Sequence, residues 1–411
     1  MDCLPVAYNF DSYVRTILDL LKKWAWLFQY KNVDLLESGV LDSPEASYLS
    51  LISDLQLEDL NLVPQGFMKY VWPGDLKMFL RSCHELKLVI PKMETPSSKI
   101  NVALFRGMKM KKRKEVIALS HVVSETCMKY GIRRVVDIGC GLGHVDRILH
   151  HTYGFKVLGI EMDVNKVKRA KEIDCFIDYI VARLSEETLS QLVSTINDWL
   201  GGEQMCLIAL HSCGDLSIHV GALFKALSTA KCQIVIPCCY HRSNLLPLSK
   251  LLKESGLVNV NLLRIASDIN AKRWEQMTSE EHMAHGRSVL SRNIMQLFPQ
   301  TDKNSIKKNR RHLMRKSATN DWNSCLQNCL ERSSGLNAEK LQTDWNSYEW
   351  RIRQVESFTC LQVCLQGVAE GLVIADILNH TFGQQNFHFK LLKLLDDVTS
   401  PRSTAIIGTR L

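Results

Sequence analysis

Between residues 134 and 238 the chain alternates short apolar runs with longer segments whose apolar residues recur every three or four positions. Short β-branched runs predict buried strands, and the longer periodic segments predict amphipathic helices. The predicted strands are Val135–Ile138, Lys156–Ile160, Ile177–Val181, Met205–Leu210 and Cys232–Ile236. Because strands alternate with helices, we expect an α/β fold with a parallel sheet and right-handed crossovers.

The first predicted strand leads into a glycine turn, Gly139–Gly143, with Asp137 two residues before it. Glycines allow a sharp turn and the close approach of a ligand, and the following helix start offers free amides to a polar group. The dinucleotide fingerprint is G-x-G-x-x-G, whereas the pattern here is G-x-G-x-G. This form is similar to the nucleotide-methionine pocket of class I S-adenosylmethionine (SAM) methyltransferases.

The second predicted strand is followed directly by Glu161, 24 residues after Asp137 and therefore one β-turn-α-β unit away. A carboxylate beside the glycine turn can accept both ribose hydroxyls, as the equivalent acid does in dinucleotide folds. Asp163 follows and can cap the next helix. The predicted SAM-binding residues are Asp137, Gly139, Gly141, Gly143, Glu161 and Asp163. The alternative is a tight strand-to-helix turn that binds no ligand.

Two further segments follow the fourth and fifth predicted strands, where ligands bind in open α/β sheets. The first contains His211 and Asp215, and the second contains Tyr240. We expect His211 and Tyr240 to line the acceptor site, where His211 can also act as a base or a hydrogen-bond donor. For Asp215 two roles stay open, a general base or the N-cap of the next helix. These three residues are the predicted catalytic group.

Metal binding is the competing interpretation of these segments, because they contain several residues of the types that bind zinc. The residues are His211, Cys213, Cys238, Cys239 and His241. Adjacent Cys238 and Cys239 are poor ligand spacing, and the chain has no C-x-x-C pair. The sequence therefore predicts no metal site.

Composition is typical of an intracellular protein: 411 residues, of which 46% are hydrophobic, with 14 cysteines and no export signal. Such cysteines are expected to be reduced thiols, which favours the cytosol or the nucleus. No stretch approaches the roughly 18 charge-free apolar residues of a membrane span. The net charge of +8 is concentrated in two basic runs, Arg106–Lys114 and Lys303–Lys316. They can neutralise phosphates or act as nuclear import signals, or they can be solvated surface.

Several motifs together resemble the methyltransferase-like protein 25 family. They are Asp137-x-Gly-x-Gly-x-Gly, Ile160-Glu161-x-Asp163, Leu210-His211-x-Cys213-Gly214-Asp215-Leu216, Cys238-Cys239-Tyr240, Lys111-Lys112-x-x-Glu115 and Asp397-Val398-x-Ser400-Pro401-Arg402. The resemblance implies a Rossmann-like class I methyltransferase sheet that finishes with an antiparallel strand pair. It divides the chain into an N-terminal helical region (1–95), a SAM-binding core (96–245), a mainly helical insertion (246–385) and the closing strands (386–411).

The family includes a protein called ribosomal RNA adenine dimethylase domain-containing, but adenine chemistry is disfavoured here. Methylation of an exocyclic amine usually employs an Asn/Asp-Pro-Pro-aromatic loop after the fourth strand, and this chain has His211-Ser212-Cys213-Gly214 there. Some motifs also resemble a eukaryotic tRNA ribose 2′-O-methyltransferase family. We therefore expect a SAM-dependent methyltransferase with RNA as the favoured acceptor over protein or a small molecule. The alternative is a non-catalytic SAM-binding or scaffold protein.

Overall fold

A computed structural model describes residues 4, 9–94, 100–268, 271–297, 321–331, 337–383 and 386–411. Its centre is a seven-stranded sheet with the order β3-β2-β1-β4-β5-β7-β6. The strands are β1 (Arg134–Ile138), β2 (Lys156–Glu161), β3 (Asp178–Val181), β4 (Met205–Cys213), β5 (Ala230–Cys238), β6 (Phe387–Lys393) and β7 (Thr404–Arg410). The sheet has the predicted α/β, Rossmann-like architecture, with an antiparallel pair of strands at one edge.

The direction of each strand agrees with the predicted topology. Strands β1 to β5 are parallel, and β7 runs antiparallel between β5 and β6. Strand order reverses on either side of β1, where β2 pairs on one side and β4 on the other. This reversal opens a crevice at the carboxyl ends of the strands.

The sheet forms because β1, β4 and β5 are apolar on both faces, as expected for parallel strands covered by helices. Val135, Ile208 and Ile234 are fully buried in the same apolar core. Helix α5 (Met110–Lys129) contributes Val116 and Leu119 to this core. This helix therefore packs on the sheet. With 20 residues, it is the longest described helix in the first 230 residues of the chain.

The helices of at least four residues are named in chain order. They are α1 (Phe10–Lys23), α2 (Ser47–Ser53), α3 (Leu57–Leu60), α4 (Gly74–Glu85), α5 (Met110–Lys129), α6 (His144–Tyr153), α7 (Val164–Ile173), α8 (Leu189–Leu200), α9 (Leu216–Ala226), α10 (Lys250–Ser255), α11 (Val260–Ala266), α12 (Ala271–Glu275), α13 (Ser279–Leu297), α14 (Trp322–Leu330), α15 (Ala338–Tyr348) and α16 (Ile352–Phe382).

Contacts divide the chain into two compact units. The first comprises Met1–Arg15, Lys87–Ser267 and Glu370–Leu411, and it holds the whole sheet. The second comprises Thr16–Leu86 and Asp268–Ala369. Most of the N-terminal helical region and most of the insertion thus belong to one unit, whereas the sequence treated them separately. The predicted boundary at residues 95 and 96 falls outside the described residues.

The segment Ala338–Phe382 contains a helical window long and apolar enough to cross a membrane. In the structure 89% of that window is buried inside the protein. Such burial is typical of a core helix. Asp376, which interrupts the apolar sequence, is 1% exposed and accepts hydrogen bonds from the Leu248 and Ser249 amides at 2.6 and 2.9 Å.

Candidate active site

The crevice at the strand ends contains a cavity of about 450 Å³, which we call the edge cavity. Its volume and its place at the reversal of strand order are typical of small-molecule sites in open α/β sheets. It is lined by Ile138, Gly139, Ile160, Glu161, Met162, Ala182, Arg183, Leu184, His211, Cys213, Gly214, Asp215, Leu216, His219, Arg242 and Asn244.

The glycine turn forms one border of the edge cavity. The Gly139 amide donates to the Ile160 carbonyl oxygen at 2.7 Å, which joins the turn to β2. A Cβ on Gly143 would lie 2.0 Å from the Tyr179 hydroxyl oxygen, whereas a Cβ on Gly141 would meet no described atom within 4 Å. Gly143 is therefore required by the packing of Tyr179, while Gly141 leaves open space of the kind that a ligand can fill.

Glu161 ends β2 and lines the edge cavity with 7% of its surface exposed. Its Oε2 accepts a hydrogen bond from the Gly141 amide and its Oε1 accepts one from the Asp163 amide, both at 3.1 Å. These amides fix the orientation of the carboxylate. About four acceptor positions on a carboxylate leave room for two hydroxyl donors as well. The residues present therefore fit the ribose of SAM.

Asp163 caps the helix that follows β2, as predicted. Its Oδ1 accepts hydrogen bonds from the Asn165 and Lys166 amides at 3.0 and 3.4 Å, which caps the start of α7. Its side chain is not part of the described wall of the edge cavity. Aspartate is a preferred residue at the start of a helix because its short side chain reaches the first free amides. The contact of Asp163 with the site is therefore the hydrogen bond that its backbone amide donates to Glu161.

Asp137 lies beneath the glycine turn, 2% exposed, and not on the wall of the edge cavity. Its Oδ1 has no hydrogen-bond partner among the described residues. Burial, reinforced by the charge of Asp146, raises the pKa of Asp137 well above its usual range. An unsatisfied buried acceptor below an open turn suits a ligand that brings a donor. The ammonium group of the methionine part of SAM is such a donor.

His211 lies on the opposite side of the edge cavity and has a left-handed backbone, with φ of 60°. The register of β4 shifts between Ala209 and Ser212, and this irregularity turns the chain at His211. His211 Nε2 lies 3.0 Å from Glu115 Oε2, and Ser400 Oγ donates to Glu115 Oε1 at 2.8 Å. The structure thus places His211 where the sequence predicted it, on the wall.

Glu115, which orients His211, had no role in the sequence analysis. It is 5% exposed. Burial pushes the pKa of Glu115 upward, but the hydrogen bond and charge of His211 outweigh this and lower it below the usual value. A carboxylate on one imidazole nitrogen fixes the ring orientation and leaves the other nitrogen for a further partner. The motif Lys111-Lys112-x-x-Glu115 marked this residue, but no spacing rule connects it to His211, 96 residues later.

The side-chain contacts of Asp215 differ from those of the predicted helix cap. It occupies the N-cap position of α9, but its carboxylate makes no capping hydrogen bond. Instead its Oδ1 accepts from the Asn244 and Leu245 amides at 3.0 and 3.1 Å and from the Ser243 hydroxyl. Asp215 therefore holds the loop that follows β5.

Tyr240 was predicted to line the acceptor site, and the structure contradicts this. It is 2% exposed and absent from the described wall of the edge cavity. Its amide donates to Ser267 Oγ at 3.0 Å and its hydroxyl donates to Glu370 Oε1 at 3.4 Å. Burial, with the Glu370 charge, raises the pKa of Tyr240 well above its usual range. The ring is a core element behind the site.

Three cysteines meet where β4 and β5 end. The Sγ atoms of Cys213, Cys238 and Cys239 all lie within 4.8 Å of one another, and those of Cys213 and Cys238 are 3.1 Å apart. Cys213 lines the edge cavity. A hydrogen bond from Cys238 lowers the pKa of Cys213 to about 6. Neither His211 nor His241 belongs to this group of mutually close ligand atoms, so the predicted His/Cys set is reduced to its three thiols.

The first basic run divides into inward and outward residues. Burial lowers the pKa of Lys112, while the charges of Glu115 and Asp137 oppose the change, so this ammonium lies among the acids of the site. Arg113 Nε donates to the Met108 carbonyl oxygen at 3.0 Å. The exposed cations of the run are Arg106, Lys109, Lys111 and Lys114. The second run, Lys303–Lys316, lies outside the described residues.

Comparison with known proteins finds similarity to methyltransferases. Residues 111–244 match the family model described as a methyltransferase domain. "Probable methyltransferase-like protein 25" of Mus musculus is 24% identical over 245 residues, which cover 54% of this chain and 39% of that protein. Its Homo sapiens counterpart is 40% identical over 65 residues, or 16% of this chain and 11% of that protein. The chain thus spans less than half the length of these curated relatives.

Similar solved structures include methyltransferases crystallised with S-adenosylhomocysteine (SAH). The plantazolicin methyltransferase BamL, in complex with a triazolic desmethylPZN analogue and SAH, has 14% identity and a TM-score of 0.27 over 72% of this chain and 92% of that chain. Coclaurine N-methyltransferase, bound to N-methylheliamine and SAH, has 11% identity and a TM-score of 0.25 over 97% of this chain and 98% of that chain.

Proposed function

Since residues 111–244 match the family model described as a methyltransferase domain, we propose that the chain transfers the methyl group of SAM to RNA. The observation that carries the proposal is the edge cavity itself. One border is a glycine turn with Glu161, which suits SAM, and the other holds His211 on Glu115, which suits an acceptor. Both borders belong to one continuous cavity.

The donor is held by backbone amides and one carboxylate. SAM supplies an electrophilic methyl group on a positive sulfur. Glu161 binds the ribose hydroxyls, the open side of the glycine turn receives the methionine part, and Asp137 accepts from its ammonium. With the methyl donor already activated, positioning and exclusion of water contribute more than a strong base.

On the acceptor side, His211 positions a nucleophile and accepts or shares its proton. Glu115 holds the ring through Nε2, so the second ring nitrogen serves the acceptor. The loop after β4 lacks the prolines and the aromatic residue used for exocyclic amines. A hydroxyl, such as the ribose 2′-OH of RNA, is the acceptor that this chemistry favours.

The RNA assignment is supported by charge beside the site. Exposed Lys109 and Lys114 flank the start of α5, and Glu115 in its second turn contacts His211 on the cavity wall. Arg183 and Arg242 line the edge cavity itself. Lysine and arginine contacts to phosphates supply affinity and register in RNA and DNA binding.

The test is methyl labelling of a cell extract with tritiated SAM by the purified full-length chain. Label in RNA should be lost on nuclease treatment and survive protease. The double variant Lys109→Ala/Lys114→Ala should label RNA several-fold less and bind SAM as the wild type does. Lys129→Ala, at the opposite end of the same helix, is the matched control and should label normally. Label that resists nuclease and disappears with protease would overturn the RNA assignment. SAM binding without label in any fraction would favour a non-catalytic SAM-binding protein.

A further inference from the structure

We propose that Cys213, Cys238 and Cys239 bind one zinc ion at the wall of the edge cavity. Their three Sγ atoms lie within 4.8 Å of one another. Zinc–thiolate bonds of about 2.3 Å in a tetrahedral site place the sulfurs just under about 4 Å apart. The thiols are therefore already near ligand spacing, and Cys213 and Cys238, at 3.1 Å, need to separate only slightly. This proposal does not depend on the methyl acceptor.

The topology brings the first two thiols together. Cys213 is the last residue of β4 and pairs with Cys238, the last residue of β5. The Gly214 amide donates to the Cys238 carbonyl oxygen at 3.3 Å and extends this pairing beyond the strands. The two side chains therefore start from neighbouring positions at the same edge of the sheet.

The third thiol joins them because the chain turns at Cys239. Consecutive residues of a strand point to opposite faces, which is why adjacent cysteines are poor ligand spacing in an extended segment. Cys239 has φ of 50°, in the left-handed region. This turn brings its Sγ back to the thiols of Cys213 and Cys238. Adjacent Cys238 and Cys239 can therefore both face Cys213, although their spacing in the sequence argued against a shared site.

Backbone strain is concentrated at this cluster. His211 and Cys239 are the two non-glycine residues with positive φ in the described part of the chain; Cys239 belongs to the cluster, and His211 lies two residues before Cys213. A left-handed conformation costs a side-chain-bearing residue about 1–2 kcal/mol and persists where the surroundings enforce it, commonly at functional sites. Asp215 provides such enforcement by holding the Asn244 and Leu245 amides after β5.

Access also favours a metal ion here. Zinc binds the thiolate form of cysteine, so binding at this cluster releases the thiol protons to solvent. Cys213 and Cys239 are half-buried and Cys213 lines the cavity, so an ion has a path to the site.

A second group of thiols gives a natural control. The Sγ atoms of Cys127, Cys206 and Cys232 also lie within 4.8 Å of one another. All three residues are fully buried in the apolar core of the sheet. Buried cysteines of this kind behave as small apolar residues. We therefore assign the zinc to the cluster that reaches the cavity.

Three protein ligands leave a fourth coordination position, as in catalytic zinc sites. At the wall of the edge cavity this position is available to water or to an oxygen or sulfur atom of the acceptor. The ion would also tie the ends of β4 and β5 together on the side where the acceptor binds. The inference thus adds a metal to the acceptor side, which the methyl-transfer proposal does not require.

The experiment measures metal in the purified full-length protein. Elemental analysis should find one zinc ion per chain, and zinc added to chelator-treated protein should protect three thiols from a thiol reagent. Cobalt in place of zinc should give a thiolate charge-transfer band. Cys213→Ser and Cys239→Ser should each reduce the band and weaken zinc binding by more than about 100-fold, the upper end for outer-shell changes. Cys127→Ala and the exposed Cys175→Ser should bind zinc normally.

Three outcomes would overturn the proposal. In the first, the chelator-treated wild type takes up neither cobalt nor zinc and its thiols react equally with and without zinc. In the second, metal binding is unchanged in Cys213→Ser. In the third, binding is lost in Cys127→Ala, which would place the ion in the buried cluster. The thiol-protection result uses only the wild type, so misfolding of a variant does not affect it.

Discussion

The two sides of the edge cavity are built in different ways. The donor side, around β1 and β2, consists mainly of backbone: a glycine turn, its amides, and Glu161 held by two of them. The acceptor side, around β4 and β5, consists of side chains from distant segments. Glu115 joins His211 across 96 residues and Ser400 across 285 residues. The donor side therefore depends on residues that are close in sequence, whereas the acceptor side depends on contacts between distant segments.

The largest effect is expected for an added side chain within the glycine turn. Gly143→Ala should destabilise the fold by about 3 kcal/mol, because a left-handed alanine is strained and its Cβ would overlap the Tyr179 hydroxyl. Gly141→Ala shares the positive φ but meets open space, so it should cost only about 1 kcal/mol. Urea unfolding of both variants measures the difference. Equal losses would show that the packing of Tyr179 does not explain Gly143.

The acceptor side should respond in turnover and not in SAM binding. His211→Ala should lower kcat about 100-fold through loss of proton transfer and positioning. Glu115→Gln, which keeps the side-chain shape but removes the charge that faces His211, should lower kcat about tenfold with SAM affinity unchanged. Steady-state kinetics measures the change in kcat, and titration with SAM measures the change in SAM affinity.

Glu125 provides the control for Glu115, since it lies on the same helix and pairs with His121 at the surface. Glu125→Gln should turn over normally. If Glu115→Gln lost SAM affinity in proportion to kcat, the division into donor and acceptor sides would fail.

A smaller effect is expected from the pH dependence of the donor side. Burial raises the pKa of Asp146 to about 6, against about 3.9 in an unfolded chain, so the folded state binds this proton more tightly. The stability that this provides is present below pH 4 and is lost as the pH rises to 6. Asp146→Asn, which cannot ionise, should therefore be more stable than the wild type by about 2 kcal/mol above pH 6 and equal to it below pH 4.

Unfolding by denaturant at a series of pH values checks this prediction. Asp198→Asn, an exposed position on α8, is the control and should parallel the wild type. A constant difference between Asp146→Asn and the wild type across this range would contradict the burial of an ionisable Asp146.

The same contrast explains what could be predicted from the sequence. Gly139 and Glu161 were placed on the cavity wall because one β-turn-α-β unit fixes their relation. Tyr240 was misplaced because the left-handed turn at Cys239 redirects the chain after β5, and no sequence rule signals such a turn at cysteine. Asp215 stands at the predicted N-cap position, but its side-chain partners were not predicted because these amides after β5 follow about 30 residues later. Contacts across that distance depend on how the strands pair.

The SAM affinity of Glu161→Ala is the most direct test of the central claim, that the edge cavity is the SAM site. Titration calorimetry on the full-length chain should show binding weakened at least about tenfold, because a charged acceptor of two hydroxyl hydrogen bonds is lost. Glu161→Gln, which keeps one acceptor oxygen, should fall between this variant and the wild type. Glu172→Ala, an exposed position on α7, should bind SAM normally. Wild-type affinity in Glu161→Ala would contradict the assignment of the cavity.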